Sequence, residues 1–245
     1  MKVWTMVAAG AAALALAGCG GDTTSTGNAV STAPLTQIEA PNGDWTEVVA
    51  QTPEGGYLMG NPDAPVKLVE YASMTCPHCA TFSRSASEQL KNEYVKSGQV
   101  SFEFRNFVLN AVDLGASMLA RCQEPRAFFR MTEQLFAEQD QWLAGYQAIP
   151  EAEQQRIASL PEAQQVGALA KAGGVDAFFR KRGVPEARVD QCLGDPANLQ
   201  RLVDMSEAAG REGITGTPAF KINGELLQGV SSWDQVEPRI RQAIG

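Results

Sequence analysis

Apolar residues at alternating and helical spacing predict a strand–helix–strand unit in the first half of the chain. Residues 66–72 form a β-type run after a turn signal at 61–65, and residues 100–107 alternate between apolar and polar side chains. Between these runs, residues 82–95 carry apolar side chains at helical spacing and end near Gly98. A helix that joins two strands predicts a parallel βαβ unit.

The pattern is nearly all helical over residues 111–210. Pro125 opens a helix with one broad apolar face. Four further prolines stand where new helices can begin: Pro150, Pro161, Pro185 and Pro196. The sequence therefore predicts a block of several helices after the βαβ unit.

The last part of the chain returns to strands after Gly213. Two apolar runs, 219–222 and 225–228, flank Asn223-Gly224, which is a strong hairpin signal. A final helix is predicted over 232–244. The expected layout is β-α-β, a helical block, then β-β-α.

The first 18 residues have the features of a secretory signal peptide, with one early lysine and an apolar run too short to cross a bilayer. Leu16-Ala17-Gly18-Cys19 resembles the bacterial lipobox, which implies lipidation of Cys19 and a membrane anchor. An ordinary secreted protein cut at a nearby alanine is the alternative. Both predict a periplasmic or otherwise extracytoplasmic protein, where disulfides persist.

Residues 19–44 would then be the lipid anchor and a flexible tether. Small and polar residues dominate this segment, and it has too few large apolar side chains to offset the entropy of ordering. The folded part is predicted to begin near Trp45.

Composition narrows the classes of function. The chain of 245 residues is 44% hydrophobic, which is typical of a globular protein, and its net charge of −8 argues against a nucleic-acid partner. Five cysteines and one histidine leave little for metal chemistry, because a structural zinc site needs four such ligands together. We expect neither a metal nor a cofactor.

Cys76-Pro77-His78-Cys79 carries the candidate chemistry, at the predicted start of a helix. The N–H groups and partial positive charge of a helix N-terminus favour a thiolate at Cys76, and His78 adds a polar or cationic partner in the same turn. Cys76 is therefore the predicted nucleophile, and Cys79, one turn inside, would resolve a mixed disulfide. A stabilised thiolate makes the disulfide more oxidising.

Redox chemistry explains the residues of this motif better than a zinc site, a haem site or a structural disulfide does. A zinc site would need a second Cys-x-x-Cys, and a c-type haem site would need histidine where Ala80 stands. A purely structural disulfide would give no reason for His78.

Two segments together carry a family resemblance: Glu-Tyr-Ala-Ser-Met-Thr-Cys-Pro-His-Cys at 70–79 and Gly-Ile-Thr-Gly-Thr-Pro-Ala-Phe at 213–220. They resemble the DsbA-type thiol:disulfide oxidoreductases of the thioredoxin superfamily, over about residues 57–243. The resemblance implies an α/β thioredoxin fold with a large all-helical insertion. The thioredoxin-like domain would comprise 45–110 and 211–245, and the insertion 111–210.

The resemblance also implies roles for three residues outside the motif. Pro218 would be a cis-proline packed against the cysteine pair, and the backbone of Thr217 would pair with an extended peptide. Glu70 would be a buried acid that relays the proton of Cys79, unless it is a strand-end residue in a surface ion pair. Thr217 stands where the strongest oxidants of the family have valine, and it also resembles the isomerases, so the direction of electron flow stays open.

Cys122 and Cys192 are left over if Cys19 is lipidated and Cys76 pairs with Cys79. They lie in the helical block, and an oxidising compartment favours a structural disulfide between them. Two buried, unpaired thiols are the alternative.

Three hypotheses for function follow. The first is a monomeric dithiol oxidase that acts on unfolded exported proteins and passes electrons to a membrane thiol oxidase of the DsbB-like class. The second is an isomerase or reductase kept reduced by another redox partner. The third is a binding lipoprotein whose Cys76–Cys79 bridge only staples the fold.

Overall fold

Six strands form one mixed sheet in the computed structural model, which describes Met1 and residues 34–245. The strands are β1 (Val49–Gln51), β2 (Tyr57–Met59), β3 (Val66–Ala72), β4 (Val100–Asn106), β5 (Ala219–Ile222) and β6 (Glu225–Leu226). Their order across the sheet is β1-β2-β4-β3-β5-β6. The sheet is thus assembled from both ends of the described chain.

The predicted βαβ unit is confirmed. Strands β3 and β4 pair in parallel, and the segment between them begins as a helix, α1 (Pro77–Gln89), which continues as a π-helical turn over Leu90–Val95. β5 pairs antiparallel to β3 and forms the predicted hairpin with β6. The Cys-Pro-His-Cys motif therefore follows a central strand of the sheet.

The helical block and the final helix also agree with the sequence pattern. The helices are α2 (Ala111–Arg121), α3 (Pro125–Ala137), α4 (Gln139–Gln147), α5 (Glu151–Ala158), α6 (Glu162–Ala172), α7 (Val175–Arg180), α8 (Glu186–Leu193), α9 (Pro196–Arg211) and α10 (Trp233–Ile244). Each proline singled out in the sequence lies at or directly before a helix start. This is where the fixed φ of proline and its missing N–H cost least.

The predicted layout lacked β1 and β2, which form a hairpin at one edge of the sheet. Each is only three residues long, too short for an alternating pattern to stand out. Tertiary packing holds them instead. Tyr57 of β2 stacks on Phe128 of α3, with ring centroids 4.0 Å apart, and its hydroxyl donates to the Arg121 carbonyl.

One apolar core joins the sheet to the helical insertion. Phe104 of β4 contacts Phe128 and Phe136 of α3 with its ring, and all three side chains are almost fully buried. Helix α1 packs on α3 beside them. The insertion therefore shares its core with the sheet that carries the motif.

Residues 36–40, at the described end of the predicted tether, contact the thioredoxin-like part. The Ile38 N–H donates to the Ser97 carbonyl, and the Trp45 indole donates to the Ile38 carbonyl at 2.9 Å. Cys19 and all of the predicted signal peptide except Met1 lie outside the described residues. Of the helices within residues 34–245, none has an apolar stretch long enough to cross a bilayer.

Cys122 and Cys192 form a disulfide, with their Cα atoms 5.7 Å apart. It joins the end of α2 to α8 and closes a loop across 70 positions of the insertion. A crosslink across so long a loop reduces the conformational entropy of the unfolded chain.

We expect the double variant Cys122→Ser/Cys192→Ser to lower the free energy of unfolding by about 2–4 kcal/mol, because the unfolded chain regains loop entropy. Denaturant unfolding without reductant measures the difference. The control is the native sequence unfolded with excess dithiothreitol, which should approach the variant. Equal stability of the two proteins without reductant would contradict the prediction.

Candidate active site

Cys76 occupies the N-cap position of α1, between a central strand and the helix. Its backbone is extended, with φ −80° and ψ 119°, and Pro77 takes the first helical position. Proline suits this place because its fixed φ fits a helix start and it has no N–H to leave unpaired. The local sequence thus sets the Cys76 sulfur at the positive end of α1.

The surroundings of Cys76 stabilise its thiolate. The pKa of Cys76 is lowered from 9.0 to about 5, and a hydrogen bond from the Cys79 thiol is the largest cause. The Thr217 side chain and backbone N–H groups of the first turn also lower the pKa, whereas burial opposes them. The Cys79 N–H lies 3.4 Å from the Cys76 sulfur. As a thiol, Cys76 instead donates to the Thr217 carbonyl at 3.3 Å.

Cys79 has the opposite character. Its side chain is fully buried, and burial is the largest cause that raises its pKa far above the usual range. The hydrogen bond to Cys76 and the nearby charge of Glu70 act in the same direction. At neutral pH Cys79 therefore holds its proton while Cys76 has lost its own.

His78 is exposed at the second position of α1. Its backbone N–H is the part that lowers the pKa of Cys76. The role of the His78 side chain as a polar or cationic partner of the sulfur stays a prediction.

Glu70 lies inside the sheet, 3% exposed, in register with Phe104 on β4 and Phe220 on β5. Its Oε1 makes no hydrogen bond within residues 34–245. Burial, followed by the charge of Cys76, raises its pKa from 4.5 to about 8. The surface ion pair considered as an alternative does not fit this burial. A carboxyl of this kind can gain or lose a proton near neutral pH.

The second motif meets the first across a cleft. The Thr217–Pro218 peptide bond is cis, and Thr217 lies against Cys76. The cleft beside the sulfur has a volume of about 470 Å³. Apolar side chains line this cleft: Leu109, just before the insertion, and Val112, Leu143 and Tyr146 of the insertion. An extended peptide with a cysteine at Cys76 would therefore contact both parts of the fold.

Sequence reasoning missed two buried polar residues beside the motif, Asp113 and Gln139. Asp113 accepts the Met74 N–H, and the Gln139 amide donates to the carbonyls of Met74 and Cys76. In the sequence, Asp113 looks like an ordinary acidic residue in the first turn of α2, and Gln139 like a surface residue. Only their burial sets them apart.

Comparison with known proteins shows the family to which this chain belongs. A family model described as thioredoxin matches residues 52–242. A curated relative, the putative protein-disulfide oxidoreductase of Rickettsia felis, is 26% identical over 219 residues, covering 88% of this chain and 69% of its own. The chain spans 63% to 69% of the length of the five Rickettsia relatives that it matches.

Two solved structures have folds similar to that of this chain. The protein-disulfide isomerase from Novosphingobium aromaticivorans is 33% identical, with a TM-score of 0.72 over 77% of this chain and 96% of its own. The α-DsbA1 of Wolbachia pipientis is 23% identical, with a TM-score of 0.62 over 79% of this chain and 92% of its own, and shares the fold.

A thioredoxin fold that presents a Cys-x-x-Cys pair at a helix N-terminus defines a thiol:disulfide oxidoreductase. The chain belongs to the thioredoxin family, and its Rickettsia relatives are named putative protein-disulfide oxidoreductases.

We expect the rate of alkylation of Cys76 in the reduced protein to be constant from about pH 6 to pH 8 and to fall by half near pH 5, because only the thiolate reacts. Iodoacetamide labelling and ultraviolet absorbance of the thiolate measure this midpoint. The Cys76→Ser variant is the control and should not be labelled at Cys79 while folded. A midpoint near that of a free thiol would contradict the site geometry.

We expect Glu70→Gln to stabilise the reduced protein at neutral pH. Between pH 4.5 and 8 the unfolded carboxyl is ionised while the folded one holds its proton, so the free energy of unfolding falls as pH rises through this window. The variant avoids this loss and should be more stable by about 3 kcal/mol at pH 7 and by almost nothing at pH 4. Urea unfolding at both pH values measures it.

The exposed Glu88→Gln is the matched control and should follow the native sequence at both pH values. A stabilisation by Glu70→Gln that does not change with pH would show that ionisation of Glu70 is not its cause.

Proposed function

We propose that this protein introduces disulfides into exported proteins outside the cytoplasm, as a dithiol oxidase that works through Cys76 and Cys79. The observation that carries the proposal is the contrast within the cysteine pair, one sulfur ionised at neutral pH and the other buried and protonated. A reduced form stabilised in this way makes the disulfide a ready acceptor of two electrons.

The exchange begins with the Cys76–Cys79 disulfide. A substrate thiolate attacks the Cys76 sulfur, and Cys79 leaves with the electron pair of the broken bond. Its high pKa makes Cys79 a poor leaving group unless a proton arrives, and Glu70 can hold one because burial raises the pKa of its carboxyl. Glu70 thus supplies the proton and ends as a carboxylate.

The second step releases the product. Another substrate thiolate attacks the substrate sulfur of the mixed disulfide, and Cys76 leaves as the thiolate that its surroundings stabilise. The substrate has lost two electrons and gained one disulfide. Its peptide would lie in the cleft beside Thr217, pairing with that residue's backbone.

A specific observation favours a second candidate, an isomerase or reductase. The structure that is 33% identical bears the name protein-disulfide isomerase, and Thr217 stands where strong oxidants of the family have valine. In this direction the Cys76 thiolate attacks a substrate disulfide. Glu70, once ionised, takes the proton of Cys79 as that thiol resolves the mixed disulfide.

The proposed function includes a location outside the cytoplasm and a redox partner in the membrane. The Cys122–Cys192 disulfide fits an oxidising compartment. A lipid on Cys19 would hold the enzyme at a membrane, close to a membrane thiol oxidase that removes the two electrons, and the tether before residue 36 would let a monomer reach unfolded substrates.

We expect Cys76→Ser to abolish exchange and Cys79→Ser to accumulate a mixed disulfide between Cys76 and the substrate, because the resolving thiol is gone. Non-reducing electrophoresis with scrambled ribonuclease A, whose disulfides the Cys76 thiolate attacks, detects the adduct. Cys122→Ser/Cys192→Ser is the control that should retain exchange. An exchange rate that is unchanged in Cys76→Ser would exclude catalysis by Cys76. It would favour the third hypothesis, a binding protein whose Cys76–Cys79 disulfide is only structural.

The same substrate separates the two redox directions. An oxidase restores ribonuclease activity from the reduced form, whereas an isomerase restores it from the scrambled form. A reduction potential near −270 mV, the value typical of thioredoxin, would overturn the oxidase assignment.

A further inference from the structure

The loop between β3 and α1 obtains its hydrogen bonds from the helical insertion. Met74 is fully buried, its N–H donates to Asp113 Oδ1 at 2.9 Å, and its carbonyl accepts from Gln139 Nε2 at 2.8 Å. The same Gln139 amide donates to the Cys76 carbonyl at 3.0 Å. Two side chains from outside the thioredoxin-like part therefore hold this loop at Met74 and Cys76.

Both side chains are themselves fixed in place. Gln139 is 3% exposed at the first position of α4, and Asp113 is fully buried in the first turn of α2. Asp113 also accepts from the Leu109 N–H and the Ser117 hydroxyl. Burial thus restricts the rotamers of both side chains, and further hydrogen bonds hold that of Asp113.

Gln139 acts directly on the backbone that sets the direction of the Cys76 side chain. The Cys76 carbonyl is also the first acceptor of α1, receiving the Ala80 N–H at 3.2 Å. A second donor on this carbonyl fixes the Cys76 peptide relative to the helix axis. That orientation keeps the sulfur 3.4 Å from the Cys79 N–H.

We propose that Gln139 is a positioning residue that, from the helical insertion, holds the loop of Met74 and Cys76 so that the Cys76 sulfur stays at the N-terminus of α1. Asp113 holds the other backbone group of Met74 and completes the contact. A buried carbonyl left without its donor is unfavourable, so loss of the Gln139 amide favours a loop conformation in which the Met74 carbonyl finds another partner. The proposal deepens the proposed function, and its link to turnover rests on that function.

The test compares Gln139→Met with Gln141→Met in the reduced protein. Methionine keeps the length of the side chain but removes the donor, and Gln141 is an exposed neighbour on the same helix. We expect Gln139→Met to raise the midpoint of thiolate absorbance by about one pH unit, a tenfold loss of thiolate at a fixed acidic pH. The reduction potential should fall by about 30 mV, the equivalent of a tenfold change. Gln141→Met should match the native sequence.

A purely structural role would give a different result. Gln139→Met would then lower the free energy of unfolding and leave the thiolate midpoint and the potential unchanged, which would overturn the proposal. If Gln139→Met does not fold, Gln139→Asn replaces it, because the shorter amide keeps a polar group but cannot reach both carbonyls. A native midpoint in Gln139→Asn would equally overturn the proposal.

The midpoint is measured on the protein alone, without substrate. A shifted midpoint in a protein that does not oxidise ribonuclease would refute the proposed function and leave the role of Gln139 intact. An unshifted midpoint in Gln139→Met, with a native protein that oxidises ribonuclease, would refute the role of Gln139 and leave the proposed function intact.

Discussion

The placement of one sulfur atom at the start of α1 governs the rest of the site. Helix N-terminal N–H groups, a neighbouring thiol and Thr217 together lower the pKa of Cys76 to about 5, against the opposing effect of burial. A thiolate of this stability leaves readily from a mixed disulfide. The sheet, the second motif and the insertion are all arranged around that atom.

The three titrating groups of the site act as a linked set. A negative Cys76 raises the pKa of Glu70, and the charge of Glu70 raises that of Cys79 in turn. Because all three are wholly or largely buried, each charge is felt strongly by the others. The arrangement keeps one negative charge on Cys76 and protons on the other two groups, which is the state reached after the second exchange step once Glu70 has taken up a proton again.

The insertion belongs to the active site as much as to the fold. It shares the apolar core of the sheet through α3, lines part of the cleft, and bonds the loop before α1 through Asp113 and Gln139. The insertion thus supplies both apolar side chains of the cleft and two hydrogen-bond partners of the loop that carries Cys76. A disulfide from α2 to α8 stabilises the insertion itself.

The sequence by itself determined the βαβ unit, the proline-initiated helices, the hairpin at Asn223-Gly224 and the cysteine motif, because these follow from spacing between near neighbours. Family resemblance added the cis bond before Pro218 and the burial of Glu70, which local pattern alone left open. Tertiary structure alone decided that β1 and β2 join the sheet and that Asp113 and Gln139 reach the Cys76 loop. The reason is physical: those features depend on contacts between residues far apart in the chain, and no local pattern of side chains records such contacts.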